Sequence, residues 1–238
     1  MLHYFDISKW KLSILSGILI GLAYPPSPLG FLAWFGLIPL IHIILKSSIF
    51  DSLKYSYVTG LIVNIITVYW FGLNSGAGFA TAIISMIAAI LYLSIFWLIL
   101  GLVCSWYHQK TGYGLFVFSL LWVSIEYLRS FGPLSFPWIN LGLTQTFSLP
   151  LIQIADVTGT MGISFWIVML NIIIYLAINS KRIEKKILSI GVLLLLVIFL
   201  LGFFRISIIQ NQDILNNIST AIVQPNIDPN LKWEENFR

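Results

Sequence analysis

The sequence has 238 residues, of which 58% are hydrophobic and only 9% charged, against roughly 25% charged in ordinary soluble domains. That composition excludes a water-soluble globular domain, and a net charge of +4 scattered along the chain excludes a nucleic-acid partner. The single cysteine, Cys104, excludes an internal disulfide and a cysteine-based metal site. A bilayer-crossing helix needs about 20 apolar residues, and seven stretches are read as spans. The first, 12–24, is short for a full crossing, which implies a tilted or partly interfacial placement. It has no small-x-small cleavage site and runs through Pro25 and Pro26 into the next apolar stretch, so it does not read as a removable signal. The others are 29–45, 55–71, 79–106, 114–128, 162–178 and 187–204.

Cations orient these spans. Lys9 and Lys11 precede the first, Lys46 and Lys54 lie between the second and third, and Lys110 follows the fourth. Lys181, Arg182, Lys185 and Lys186 sit between the sixth and seventh. All nine fall on one side of an alternating topology; Arg129 and Arg205 flank spans on the other side, and Lys232 and Arg238 lie in the tail. Because Lys and Arg concentrate on the cytoplasmic side, the N-terminus is expected in the cytoplasm and the tail outside. Cys104 lies near the cytoplasmic end of the fourth span, close to Trp106. A reactive thiolate needs an electropositive, partly wet setting, so Cys104 reads as inert packing. His3, His42 and His108 are scattered without metal-ligand spacing, and no metal or cofactor is expected.

The stretch between the fifth and sixth spans is of another kind. Glu126 and Arg129 are three residues apart, so on a helix they share a face and are expected to pair. Residues 130–159 then mix aromatics, prolines and polar amides and cannot span. Lipid-exposed irregular backbone is excluded from the hydrocarbon core, so this segment lies at the outer interface or lines a cavity within the protein. Trp138, Asn140, Gln145, Gln153 and Asp156 are expected to wall an interfacial pocket. The bland alternative is a structural ion pair at a helix end, with Arg129 snorkelling.

From residue 211 the chain turns polar. A strand-like run, Thr220-Ala221-Ile222-Val223-Gln224, leads into Pro225, Asn226, Pro229 and Leu231-Lys232-Trp233. A buried strand, a turn built on prolines and a charged surface are how a soluble α/β domain opens. The expected fold is therefore an all-α polytopic membrane bundle over 1–210, followed over 211–238 by the truncated start of a second domain.

Four groups of residues together resemble one family. Trp122-x-x-x-Glu126-Tyr127-Leu128-Arg129, Phe136-Pro137-Trp138 and Leu141-Gly142-x-x-Gln145 are similar to the fifth-span region of bacterial apolipoprotein N-acyltransferases. Trp34-Phe35-Gly36-Leu37-Ile38-Pro39-Leu40 resembles the second span of that family, and Tyr69-Trp70 with Gly76-Ala77-Gly78 its third span and outer loop. Val223-Gln224-Pro225-Asn226-Ile227 and Leu231-Lys232-Trp233 resemble the opening of its nitrilase-like domain.

The resemblance implies an inner-membrane enzyme that takes an acyl chain from a phospholipid and transfers it to the diacylglyceryl-cysteine beginning a lipoprotein. It implies a thioester intermediate on a Cys nucleophile, a Glu general base and a supporting Lys. All three lie downstream of the Leu-Lys-Trp motif in the family, so none is expected in these 238 residues, and the chain alone is expected to be inactive. Glu234 and Glu235 read as the solvated start of a helix, and Cys104 is on the wrong element. Trp233, Trp138, Gln145, Glu126 and Arg129 are the candidate substrate-binding residues. Trp233 is read either as part of the active-site rim or as an aromatic packing the second domain onto the membrane. The alternative function is a non-catalytic scaffold or relic on the same spans. A transporter would place ionised groups along a pathway, and Glu126 and Arg129 are nearly the only charges within the spans.

Overall fold

The computed structural model describes residues 8–73, 78–179, 185–211, 220–224 and 226. Helix α1 (Lys9–Leu22) is 14 residues long, about 21 Å at 1.5 Å per residue. Pro25, Pro26 and Pro28 lack the backbone donors that would continue it, and the chain turns back into a short 3-10 turn, Gly30–Trp34. Helix α2 (Ile38–Lys46) then resumes with Pro39 in its first turn, where a missing N–H costs nothing. The second expected span is thus broken in two around residues 35–37.

Broken backbone inside an apolar bundle must find partners within the protein. Here the side chain of Asn171 supplies them, accepting from Leu37 N at 2.9 Å and donating to Ala33 O at 2.7 Å. Ser16 on α1 donates to the carbonyl of Gly36 at 2.6 Å.

Helix α3 (Ile49–Val68) starts on Ser48, whose hydroxyl accepts from Asp51 N, and continues as a 3-10 turn over Tyr69–Leu73. Helix α4 (Phe79–Thr111) runs antiparallel to it. Gly60 faces Trp97, Gly101 faces Ser56, and Asn64 donates to Ser94 at 3.0 Å. A methyl group on Gly60 would stand 2.6 Å from the Trp97 ring, so small residues set the close approach, as is usual between membrane helices. Helix α4 ends at Gly112, whose φ of +81° suits a residue without a side chain. Helix α5 (Gly114–Leu128) returns along α4, with Trp122 edge-on to Trp97 at 5.1 Å.

After the irregular segment come a single turn, α6 (Leu149–Ile152), then α7 (Ala155–Asn179), interrupted near its start at Gly159 with φ +67°, and α8 (Lys185–Gln210). The core lies among α2, α3, α4, α5 and α7, where Leu40, Leu93, Phe118, Leu141 and Ile167 are fully or almost fully buried. Helix α8 leaves Leu193, Leu196, Leu200 and Phe203 exposed, the face of a helix in contact with lipid.

Among the described residues, four helices are long and apolar enough to cross a membrane: Ile49–Leu73, Phe79–Thr111, Ala155–Asn179 and Ser189–Gln210. The chain is therefore a multi-pass membrane protein built of helices. The other three expected spans are shorter: α1, the broken Gly30–Lys46 and α5. Among the described residues no strand forms. Thr220–Gln224, expected as a strand, is irregular and exposed, since a strand exists only where a neighbouring strand completes its ladder. Trp233 and the other residues of the Leu-Lys-Trp motif lie outside the described residues, as do Gly76 and Ala77 of the third-span loop.

Candidate functional site

Trp122, Glu126 and Arg129 lie one turn apart along α5, so they project from one face. Pro133 and Pro137 then prevent the helix from continuing. The chain makes a turn at Gly132 (φ +84°) and doubles back, so that Phe136 N donates to Arg129 O at 2.9 Å. Two 3-10 turns follow, Pro137–Ile139 and Leu141–Gln145. Phe136, Ile139, Asn140 and Leu141 are buried, whereas Trp138 is 59% exposed. The segment is therefore tucked into the bundle and presents one large aromatic outward.

The charges on α5 hold that tuck. Glu126 Oε1 accepts from Trp122 Nε1 at 2.9 Å and from Leu141 N at 2.7 Å. Arg129 Nη2 donates to Ile139 O at 3.2 Å and to Asn140 Oδ1 at 2.9 Å. Tyr24, at the end of the first helix, donates its hydroxyl to the same Ile139 carbonyl at 2.8 Å, and Gly142 N donates to Ser164 Oγ on α7 at 2.8 Å.

The expected direct ion pair between Glu126 and Arg129 does not form. Among the described residues the ion pairs are Lys9–Asp51 and Asp156–Arg205. The shared face is as expected, but consecutive residues of the docked segment present the Ile139 carbonyl, the Asn140 side-chain amide and the Leu141 N–H to the two side chains. The backbone groups among them are shielded from bulk water.

The expected pocket wall divides into separate places. Glu126, Arg129 and Asn140 converge. Gln145 faces the other way: its Oε1 accepts from Trp34 Nε1 at 2.9 Å, and its Nε2 donates to Gly30 O at 2.9 Å and Thr144 Oγ1 at 2.7 Å. Its amide is occupied in clasping the Gly30–Trp34 turn. Gln153 bonds back to Leu149 O on its own turn, and Asp156 pairs with Arg205 at the far end of α8. Trp138 packs against Trp70 at 5.6 Å and Phe136 at 5.2 Å, and Phe136 meets Phe71 at 5.8 Å. These four rings form an aromatic ledge where α3 ends.

Beneath the segment is a small cavity of about 30 Å³, lined by Tyr24, Trp97, Trp122, Glu126, Arg129 and Ile139 among others. Tyr24 and Asn171 are the site-building residues that sequence reasoning passed over. A signal for Asn171 was present: a lone amide in the middle of an apolar span is costly unless something uses it. Tyr24, next to two prolines, carried no such mark. Cys104 is fully buried, in keeping with its reading as inert packing.

The bundle and the tucked segment define a class, a helical membrane protein with a non-spanning, internally bonded segment and an exposed aromatic ledge. The family described as "Apolipoprotein N-acyltransferase N-terminal domain" matches residues 16–173, and the chain belongs to that family. Apolipoprotein N-acyltransferase of Geobacter metallireducens is 30% identical over 96% of this chain and 45% of its own length. Those of Chlorobaculum tepidum and Rickettsia prowazekii are 26% and 29% identical, over 94% and 93% of this chain and 42% and 45% of their own. The chain spans about half the length of these curated relatives.

Proposed function

We propose that this chain is the membrane part of an enzyme that transfers an acyl chain from a phospholipid to the α-amino group of a diacylglyceryl-cysteine lipoprotein in a bacterial inner membrane. Family membership carries this reading, supported by relatives named apolipoprotein N-acyltransferase. An amine attacks a carboxylic ester slowly, and a covalent thioester splits that transfer into two easier steps. A thiolate would displace the lysophospholipid from the ester carbonyl; the amine would then displace the thiolate and give up its proton to a base. Trp233 is proposed for the rim of that reaction centre.

The described residues would prepare the lipid for it. Both substrates are held in the membrane, so they reach the enzyme sideways. The ledge of Trp138, Trp70 and Phe136 suits the headgroup level, where amphipathic rings accumulate. Glu126 and Arg129 act through the segment they hold, and Gln145 anchors its other end. All three are positioning residues in this reading, and Trp138 is the one that touches lipid. The proposed topology keeps the N-terminus cytoplasmic and residues 211–238 outside, on the side where the ledge would meet the outer leaflet.

The test uses membranes containing the full-length protein that carries this sequence, a phospholipid labelled in its acyl chain and a diacylated lipopeptide acceptor. Label is expected to reach the peptide amine. Trp138→Ala is expected to lower turnover about tenfold, the loss of roughly 1.4 kcal/mol of transition-state stabilisation, at unchanged protein abundance. Normal turnover of Trp138→Ala would make the segment a structural cap and remove lipid presentation from its role.

A further inference from the structure

Two buried polar atoms are left over from the hydrogen bonds that hold the segment. Arg129 Nε has no hydrogen-bond partner and Glu126 Oε2 none in ordinary geometry, with the Ser164 hydroxyl standing beside the carboxylate, although Oε1 and Nη2 of the same side chains are engaged. Glu126 is 3% exposed and Arg129 6%, so bulk water does not solvate them. Both side chains line the cavity beneath the segment. Buried polar groups without partners are rare, and a water or ion in the space they face is one of the ways a native fold satisfies them.

The chemistry of the walls selects the occupant. Arg129 Nε offers a donor and Glu126 Oε2 an acceptor, so the guest must accept at one point and donate at another. A free cation would face the guanidinium and a free anion the carboxylate, which leaves a neutral hydroxyl. The remaining wall is apolar, including Val63, Phe96 and Leu100, so a guest is held only at the polar end. A single water needs roughly 10–15 Å³ by this measure, and the cavity of about 30 Å³ takes one or two.

We propose that this half-open cavity holds one or two waters at its polar end, which accept from Arg129 Nε and donate to Glu126 Oε2. The Tyr24 hydroxyl, already donating to Ile139 O, offers its lone pairs to a second water. The waters complete a ring of contacts that the two charged side chains do not make directly, and so tie the Ile139 carbonyl and the Leu141 N–H to one shared anchor. The inference does not depend on the acyltransferase reading.

X-ray hydroxyl-radical footprinting of the protein in lipid nanodiscs tests it, because a bound water is activated in place and oxidises the side chains around it. Trp122 and Trp166 are a matched pair: each is 7% exposed, but only Trp122 lines the cavity. Trp122 and Tyr24 are expected to be modified several-fold faster than Trp166. Equal rates at Trp122 and Trp166 would overturn the proposal. Val63→Phe, which fills the apolar end, is expected to bring Trp122 down to the Trp166 rate. Unchanged rapid labelling in a Val63→Phe protein that still melts cooperatively would trace the radicals to another source and also overturn it. If that variant does not fold, the wild-type comparison decides alone.

Discussion

Glu126 is a carboxylate deep in an apolar bundle, and its value lies in what it holds. With Oε1 shared between Trp122 and Leu141 N, it connects α5 to a segment whose backbone would otherwise be unsatisfied. Glu126→Ala strips the partner from Leu141 N and leaves Arg129 buried without a balancing charge. Each buried donor stranded in that way, Leu141 N and Trp122 Nε1, costs about 1–3 kcal/mol. Glu126→Gln keeps an oxygen for Trp122 and Leu141 and loses only the charge, so it is expected to cost less, about 1–3 kcal/mol. Melting of the purified protein and its level in membranes should follow the order wild type, Gln, Ala. An Ala variant as stable as wild type would mean that the segment stays docked without Glu126.

At the level of elements, the broken second span rests on Asn171. Leu37 N and Ala33 O both depend on its amide, from more than a hundred residues away. Asn171→Leu is expected to cost about 1–3 kcal/mol for each group left unsatisfied. Among the described residues, Asn179 bonds back to Tyr175 O on its own helix, so Asn179→Leu is expected to stay within about 0.5 kcal/mol. Comparing the two melting temperatures checks that α7, rather than local propensity, holds the break. The same example shows what could be read in advance. Apolar run lengths located α3, α4, α7 and α8, and the prolines between 133 and 150 marked a segment that does not cross. The i, i+3 spacing placed Glu126 and Arg129 on one face. Hydropathy could not reveal the break at residues 35–37, because its cause is a side chain remote in sequence. It could not reveal that Glu126 and Arg129 would bind the 139–141 backbone instead of each other, since that depends on how the segment docks. Helix α4 also outruns its expected end at 106 to reach Thr111, because polar residues continue a helix beyond the membrane without adding hydropathy.

For the whole molecule, the cation distribution makes orientation testable. Reporter fusions at Ser180 and Asn217 are expected to show Ser180 in the cytoplasm and Asn217 outside. A cytoplasmic signal at Asn217 would put the aromatic ledge in the wrong leaflet and remove the basis for the proposed chemistry. Lengths within the bundle carry a different consequence. The apolar stretch of helix α4, residues 79–106, has 28 residues, about 42 Å, whereas its neighbour α5 has 15, about 22 Å, and a bilayer's hydrocarbon layer is about 30 Å thick. One helix is too long for its solvent and the adjoining one too short, and Trp97 against Trp122 fixes them side by side. Lipids around the first must stretch or let it tilt, while those beside the second must shorten, each at a small free-energy cost per ångström of mismatch. The annulus around this protein is therefore uneven in thickness.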